Sequence, residues 1–364
     1  ALETPGGLKI QTIHAFCEAL LHQFPLEANV AGHFSVLDDR LAAELMAEAR
    51  ARVLLAAETA PDSDLGQSLS LLITQMGDST VEELMADAIA RRDALARWLV
   101  DAGDLELALA ELRQSFGIPA GESEAAIADE MRNARLIRDP LAVAEALRYG
   151  SANDLKTADK LAAAAATLKP GSPGQASFEA AWLSVFFTQK LTPTKSLATK
   201  KVADRFPDVL EQMQAEQERL TALLDRRRAL RAFEVTAAIL RLADGVIADY
   251  EAGKARRGLL DFEDLVVRTA NLLSNSDAAQ WVQYKLDQGL DHILVDEAQD
   301  TSPRQWQVVT ALAEEFFAGV GARRGPRTIF AVGDEKQSIY SFQGARPERL
   351  RQERGAFLAL AEGA

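Results

Sequence analysis

From Leu37 to Gly253 the chain is dominated by Ala, Leu, Glu and Arg, all strong helix formers. A stretch of that length and composition folds as packed helices. Leu41, Leu45 and the Val53–Leu55 pair recur at helical spacing, and Asp38 is placed to cap the first helix. Pro61, Gly77, Gly103, the Gly117–Gly121 stretch and Pro140 punctuate the run, and Lys169–Gln175 (KPGSPGQ) reads as a surface loop. From Pro207 onward, Leu210, Met213, Leu220, Leu224, Leu230, Leu240 and Val246 predict either one very long helix or a helical hairpin. Apolar stripes of this kind signify core packing.

The flanks differ in kind. Leu8–Thr12, His292–Val295 and Thr328–Val332 are short apolar runs rich in β-branched residues. Each is followed by a polar or glycine-bearing turn and then a helical pattern. Short buried runs of that type suit a parallel sheet covered by helices on both faces. The expected architecture is therefore α/β. A partial parallel-sheet domain is assembled from residues 1–36 and 256–364, and an all-α insertion spans 37–255.

The formal net charge is −14, which excludes a generally basic nucleic-acid coat protein. The charge is unevenly placed, because residues 36–150 carry −11 whereas residues 156–205 carry +5. Seven of the eleven lysines lie between Lys156 and Lys201. The single cysteine, Cys17, excludes an internal disulfide and a Cys-rich zinc site, and reads as a buried thiol in a reducing cytoplasm. No apolar run reaches the roughly 18 residues that a membrane helix needs, and the first residues lack a signal-peptide pattern. Without an initiator Met, the sequence is expected to be part of a longer protein.

Two motifs carry chemistry. In His292–Ser302 (HILVDEAQDTS) an apolar strand delivers Asp296 and Glu297 to its C-terminal end, where open α/β sheets bind ligands. Phosphoryl transfer needs a carboxylate to hold Mg²⁺ and a group to position or deprotonate the attacking water, and this pair suits both tasks. In Thr328–Ala345 (TIFAVGDEKQSIYSFQGA) a second strand ends in Gly333–Asp334, with Gln337 at the mouth of the turn. Gln337 is placed to hydrogen-bond a terminal phosphate. Tyr340 and Phe342 alternate with small polar residues, as rings that stack on single-stranded bases would.

DEAQDTS and VGDEKQSIYSFQGA resemble motifs II and III of the UvrD/Rep-type superfamily 1 DNA helicases. Two shorter matches stand in the family's order. Thr12–Cys17 (TIHAFC) resembles the TxHxF-like DNA-contact motif, and Leu260–Leu265 (LDFEDL) resembles the LDFxDL helix before motif II. The IHAFC form, the large insertion and Phe186–Lys201 (FFTQKLTPTKSLATKK) resemble the AddA/RecB branch of helicase–nucleases. The resemblance implies a RecA-like P-loop motor domain, 1A, carrying a 1B-like insertion and using ATP and Mg²⁺. It implies that Asp296 coordinates Mg²⁺, that Glu297 activates the hydrolytic water, and that Gln337, with Asp334 beside it, couples the γ-phosphate to the DNA site. It also implies that Thr12, His14, Phe16, Tyr340, Phe342 and Gln343 meet single-stranded DNA. For LDFEDL the residues favour helix packing, with capping by Asp261 and Asp264.

The match has departures. Gln343 stands where many members carry Arg, and Arg346 where the RecB-like branch often has Asp. No G-x-x-x-x-G-K-[ST] loop occurs in the chain, so the chain alone is expected to lack ATPase activity. Lys190, Lys195, Lys200 and Lys201 are candidates for contact with duplex phosphates, against a solvated helical face as the plain alternative. Expected partners are DNA, both single strands and duplex ends, and a second AddB-like helicase–nuclease subunit. Two other readings stay open: a UvrD/Rep-like helicase without a nuclease, and a non-catalytic scaffold derived from a helicase.

Overall fold

The computed structural model describes residues 10–167, 175–274, 278–287, 290–317, 327–334 and 347–363. The first elements in chain order are α1 (Ile13–Gln23), β1 (Ser35–Val36), α2 (Asp39–Thr59), α3 (Asp64–Gln75), α4 (Asp78–Ala90), α5 (Arg92–Ala102) and α6 (Leu105–Ser115). They are followed by α7 (Glu124–Asn133), α8 (Pro140–Leu147), α9 (Ala152–Ala166), α10 (Gln175–Phe186), α11 (Lys200–Arg205) and α12 (Pro207–Arg257). The chain then forms β2 (Leu259–Leu260), α13 (Phe262–Ser274), α14 (Ala279–Asp287), β3 (His292–Val295), α15 (Pro303–Phe317), β4 (Thr328–Ala331) and α16 (Pro347–Gly363). Two compact units result, one from residues 1–55 with 244–364 and the other from residues 56–243.

Helix boundaries in the second unit follow local chemistry. Gly77 caps α4, Gly103 ends α5 at φ 105°, and Pro140 occupies the first turn of α8, where Asp139 accepts the Ala142 N–H. Pro207–Arg257 is one continuous helix of 51 residues, which settles the choice between helix and hairpin. Beyond its first residue it holds no proline, and its two glycines, Gly245 and Gly253, cost only about 1 kcal/mol each relative to alanine. Trp182, Phe186 and Phe187 are buried among Leu220, Leu223 and Leu224, so these rings are core. Within that core the Glu216 carboxylate is fully buried yet satisfied. It accepts the Trp182 indole N–H at 2.8 Å, the Leu136 N–H at 2.8 Å and the Arg219 guanidinium at 2.7 Å.

Arginines of α12 reach the acidic helices before it. Arg226 pairs with Glu122 and Glu130, Arg227 with Glu124 and Glu179, and Arg241 with Glu106. Four carboxylates of residues 36–150, Glu106, Glu122, Glu124 and Glu130, are thus engaged in the packing of this unit. The Arg241–Glu106 pair is partly exposed and contributes about 0–1 kcal/mol, whereas the Glu122 and Arg227 side chains are only 7% and 8% exposed, so their pairs are largely withdrawn from water.

The first unit packs α1 and α13 around Cys17, Leu20, Leu21, Leu265 and Leu273, with Val308 and Ala311 of α15. Burial pushes the Cys17 thiol up to about 11, which makes it an inert core group as its sequence context suggested. The predicted cap at Asp38 forms, its carboxylate accepting the Leu41 N–H at 2.7 Å.

The sheet differs from expectation. Among the described residues the strands form two parallel two-stranded pairs, β1 with β2 and β3 with β4, beside an isolated antiparallel bridge between Phe187 and Pro193, and the chain is mostly helical. The described part of Leu8–Thr12 adds no strand, because Thr12 turns to accept the Ala15 N–H and starts α1. β1 and β2 carried no sequence signal, being two residues each and 224 positions apart at Ser35↔Leu259. The β3–β4 pair packs Ile293, Val295 and Ile329 against Trp306 and Val309, whereas Leu294 and Phe330 on the opposite face are exposed. Among the described residues, one face of this pair is covered. The Lys169–Gln175 loop falls largely outside the described residues, and Gln175 opens α10.

Candidate functional site

The β3–β4 register, His292↔Thr328 through Val295↔Ala331, brings the C-terminal ends of both strands together. Alignment begins at the other end, where the His292 Nδ1 lies 2.9 Å from the Thr328 hydroxyl and the Thr328 N–H donates to the Asp291 carbonyl. Beyond the strands the ladder continues. The Val332 N–H donates to the Val295 carbonyl, and the Ala298 N–H donates to the Val332 carbonyl at 2.8 Å. This places the Asp296–Glu297 turn beside Gly333–Asp334.

The turn is strained. Glu297 has φ 49° and ψ 43°, a left-handed conformation that costs a non-glycine residue about 1–2 kcal/mol. Its N–H donates to Asp296 Oδ1 at 3.0 Å, and the short 3₁₀ turn Ala298–Asp300 follows directly. Both carboxylates are exposed at the strand end. Strain of this kind persists only where surrounding structure holds it, and it concentrates at functional sites.

Gln299 supplies the hold. It is almost completely buried, and its side-chain amide bridges the two turns. Nε2 donates to Glu297 Oε2 at 2.6 Å and to Asp300 Oδ2 at 3.3 Å, while Oε1 accepts the Asp334 N–H at 3.0 Å. Gly333 is required by this approach, since a Cβ there would stand 2.5 Å from Gln299 Oε1 and 2.9 Å from its N. Gln299 is an uncharged amide, and its place inside DEAQDTS is the one sign of this role in the sequence. Gln299→Leu is expected to destabilise the protein by about 1–3 kcal/mol, because it strands the Asp334 N–H and frees the Glu297 turn. Urea denaturation checks this, and an unchanged midpoint would remove the brace.

Asp296 suits a divalent cation bound together with phosphates. Mg²⁺ keeps several waters and takes only one or two protein carboxylates in such sites. Asp296 commits one oxygen to the turn and leaves the other open. Among the described residues no group of three or more His, Cys, Asp or Glu forms a protein-only cage.

Around the N-terminus of α1, Thr12 is exposed with its hydroxyl engaged as the helix cap. His14 is half-buried against the edge of Phe262 at 5.4 Å, and burial lowers its pKa, favouring the neutral ring. Phe16 is half-buried against the α1–α13 core. Ile13 packs on the cluster of Ala298, Trp306 and Val309, so the start of α1 adjoins the Asp296–Glu297 turn. Gln337, Tyr340, Phe342 and Gln343, together with Arg346, lie outside the described residues.

LDFEDL adopts the capping role read for it. The Asp264 N–H donates to Asp261 Oδ1 and the Asp261 N–H to Asp264 Oδ2, each at 2.9 Å. Lys254, 2% exposed, neutralises the pair, and it also meets Glu251 at 2.8 Å, while the Tyr250 hydroxyl donates to Asp261 at 2.7 Å. Neither Tyr250 nor Lys254 stood out in the sequence, because both lie in helical α12 rather than in the motif.

In the other unit Lys190, Lys195, Lys200 and Lys201 are all exposed, and none has a carboxylate within 4 Å among the described residues. Lys190 sits in a tight turn where the Leu191 N–H donates to the Thr188 carbonyl and Leu191 has φ 53°.

The model of the UvrD/REP helicase N-terminal domain matches residues 3–357. The chain belongs to that family. Among its relatives, RecBCD enzyme subunit RecB of Mycolicibacterium smegmatis is 39% identical over 105 residues, covering 29% of this chain and 9% of that protein. An ATP-dependent helicase/nuclease subunit of Latilactobacillus sakei is 29% identical over 177 residues, covering 47% of this chain and 18% of that protein. ATP-dependent DNA helicase Rep of Salmonella typhimurium is 36% identical over 102 residues, covering 28% and 13%. The chain thus spans less than a fifth of each of these three relatives. As a UvrD/REP domain it combines the Asp296–Glu297 turn with a helical unit that is mostly independent of that turn in sequence.

Proposed function

We propose that this UvrD/REP domain is part of motor domain 1A, with its helical 1B-like insertion, in an AddA-like ATP-dependent helicase–nuclease that unwinds duplex DNA ends for recombinational repair. The observation that carries the reading is the pairing of β3 with β4, which sets Asp296, Glu297 and Asp334 at one end of the strands under the Gln299 brace. ATP with Mg²⁺ supplies the phosphoryl group and its charge neutralisation. Asp296 holds the cation, and Glu297 takes the proton of the attacking water. Gln337, three residues after Asp334, reports the γ-phosphate to the DNA-contact segment, and Tyr340, Phe342 and Gln343 meet the single strand together with Thr12, His14 and Phe16. Residues 37–255 form the insertion, and a second AddB-like subunit completes the enzyme.

The motor reading is tested by ATP hydrolysis in the full-length protein. Mg²⁺-dependent turnover stimulated by single-stranded DNA is expected, and its absence would leave the scaffold reading. The chain alone, lacking a phosphate-binding G-x-x-x-x-G-K-[ST] loop, is expected to show none.

The unpaired lysines support a duplex-contacting face on the insertion. Replacing Lys190, Lys195, Lys200 and Lys201 with Ala is expected to weaken duplex binding uniformly across sequences. If all four meet phosphates, the slope of log affinity against log salt falls by about 4. Anisotropy titrations between roughly 50 and 200 mM salt measure it. An unchanged slope would mark these lysines as a solvated surface.

A further inference from the structure

A groove of about 730 Å³ opens in the unit formed by residues 56–243, lined by Arg138, Tyr149, Arg205, Phe206, Val209 and Gln212 among others. That volume falls in the range of small-ligand sites. Its floor is aromatic. The Tyr149 and Phe206 rings lie 5.5 Å apart, and the Arg205 guanidinium stands 4.6 Å from the first and 5.5 Å from the second. Tyr149 is 52% exposed, so this cluster presents ring surface to solvent instead of closing a core.

The charge of the groove is selective. Two carboxylates line it, but Asp139 caps α8 and Glu145 pairs with Arg148 at 3.5 Å. Arg138 and Arg205 have no carboxylate within 4 Å among the described residues. An aromatic shelf beside uncompensated guanidinium groups matches a nucleotide, whose base stacks and whose phosphate pairs.

The walls are held in place by one buried carboxylate. Asp154 accepts the Ser151 N–H at 2.6 Å and hydroxyl at 3.0 Å, and the Thr199 N–H at 2.8 Å and hydroxyl at 2.6 Å. Gly150 is closed in by the same carboxylate, since a Cβ there would meet Asp154 Oδ2 at 2.1 Å. Asp154 therefore ties Tyr149 and its loop to the start of α11. That short helix carries Lys200 and Lys201 at one end and Arg205 at the other. Lys200 and Lys201 of the lysine face and Arg205 of the aromatic shelf are thus carried by the same short helix.

We infer that this groove receives an unpaired base of a DNA strand, stacked on the Tyr149–Arg205–Phe206 cluster, while the flanking phosphates run to Arg138 and the Lys200–Lys201 pair. The inference rests on the reading that the lysine face meets DNA. It adds a base-sensing element to what is otherwise a contact with backbone alone, so that a duplex with unpaired terminal bases is held more tightly than a blunt one.

The test uses the full-length protein and three DNA probes: a blunt duplex, the same duplex with a short thymidine tail, and the same duplex with an abasic tail of equal length. The abasic tail keeps the phosphates and removes the bases. Tyr149→Ala is expected to lose about tenfold in affinity for the thymidine tail and to bind the abasic and blunt probes as wild type does. Tyr149→Phe, which keeps the ring, is expected to restore the thymidine-tail affinity, and thermal melting of both variants confirms the fold. Equal affinity of Tyr149→Ala and wild type for the thymidine tail would overturn the proposal, and so would equal losses on all three probes. If that variant binds all three probes normally but loses association with a second subunit, the groove docks protein and the proposal is likewise overturned. Unchanged blunt-duplex binding by the variant with Lys190, Lys195, Lys200 and Lys201 replaced by Ala is a different failure. It removes the DNA face itself, whatever Tyr149 does.

Discussion

Glu297→Gln in the full-length protein is expected to lower ATP turnover by about 10²–10⁴-fold, the usual contribution of a positioned general base. Amide for carboxylate removes the proton acceptor while keeping the side chain's shape. The remaining amide oxygen can still accept from Gln299 Nε2, so the brace between the two strand ends survives. Folding should therefore be little changed, and nucleotide affinity should persist because Asp296 still holds the cation. Steady-state turnover with single-stranded DNA present, alongside a nucleotide-binding titration, separates the two effects. Turnover within a factor of a few of wild type would take Glu297 out of the chemistry. It would also leave its left-handed backbone, at φ 49°, without a functional reason.

Lys254→Met is expected to destabilise the protein by about 3–5 kcal/mol, the cost of leaving a buried ion pair without one partner. Lys254 is 2% exposed and faces Asp261, Asp264 and Glu251. Methionine fills comparable space but strands the Asp261–Asp264 capping pair at the start of α13, beside β2. Burial pulls the Lys254 ammonium down, but the Asp264 and Asp261 carboxylates and their hydrogen bonds outweigh it, and its pKa is raised. A raised lysine contributes stability that is fully present below its unfolded value near 10.5 and is lost as pH rises through the higher folded value. Wild type should therefore lose stability above about pH 10.5, and the variant should lack that part of the slope. Urea midpoints at neutral and alkaline pH measure both. A midpoint loss below about 1 kcal/mol would mean the network relaxes without its cation.

Helix identity and helix ends were legible because their causes are local. Gly103 at φ 105°, Pro140 behind its Asp139 cap, and Asp38 capping α2 act within a few residues of where they stand. The strands β3 and β4 were legible for the same reason, as apolar runs ending in turns. The extent of the sheet was not. Leu8–Thr12 has strand-like composition, but a threonine one residue before a helical run is equally a cap, and in the fold capping prevails at Thr12. Carboxylates at strand ends announced the candidate site through their chemistry, whereas Gln299 reads as one polar residue among several until Asp334 is seen beside it.

The charge distribution divides in the same way. Counting residues showed an acidic stretch and a lysine-rich one, and no more. Packing against α12 engages carboxylates such as Glu106, Glu122 and Glu130 with arginines 96–135 positions away, while the lysines from Lys190 to Lys201 have no such partners among the described residues. Residue order alone sufficed for the helices, the two strand-end motifs and the family resemblance, since these rest on interactions between near neighbours. Folding was needed to join Ser35 to Leu259, Gln299 to Asp334, Lys254 to Asp261, and Tyr149 to Arg205. Most of these contacts bring together segments that local propensity does not relate. Even the seven-residue step from Lys254 to Asp261 crosses a helix end, where the chain turns at Gly258 with φ 63° and enters β2.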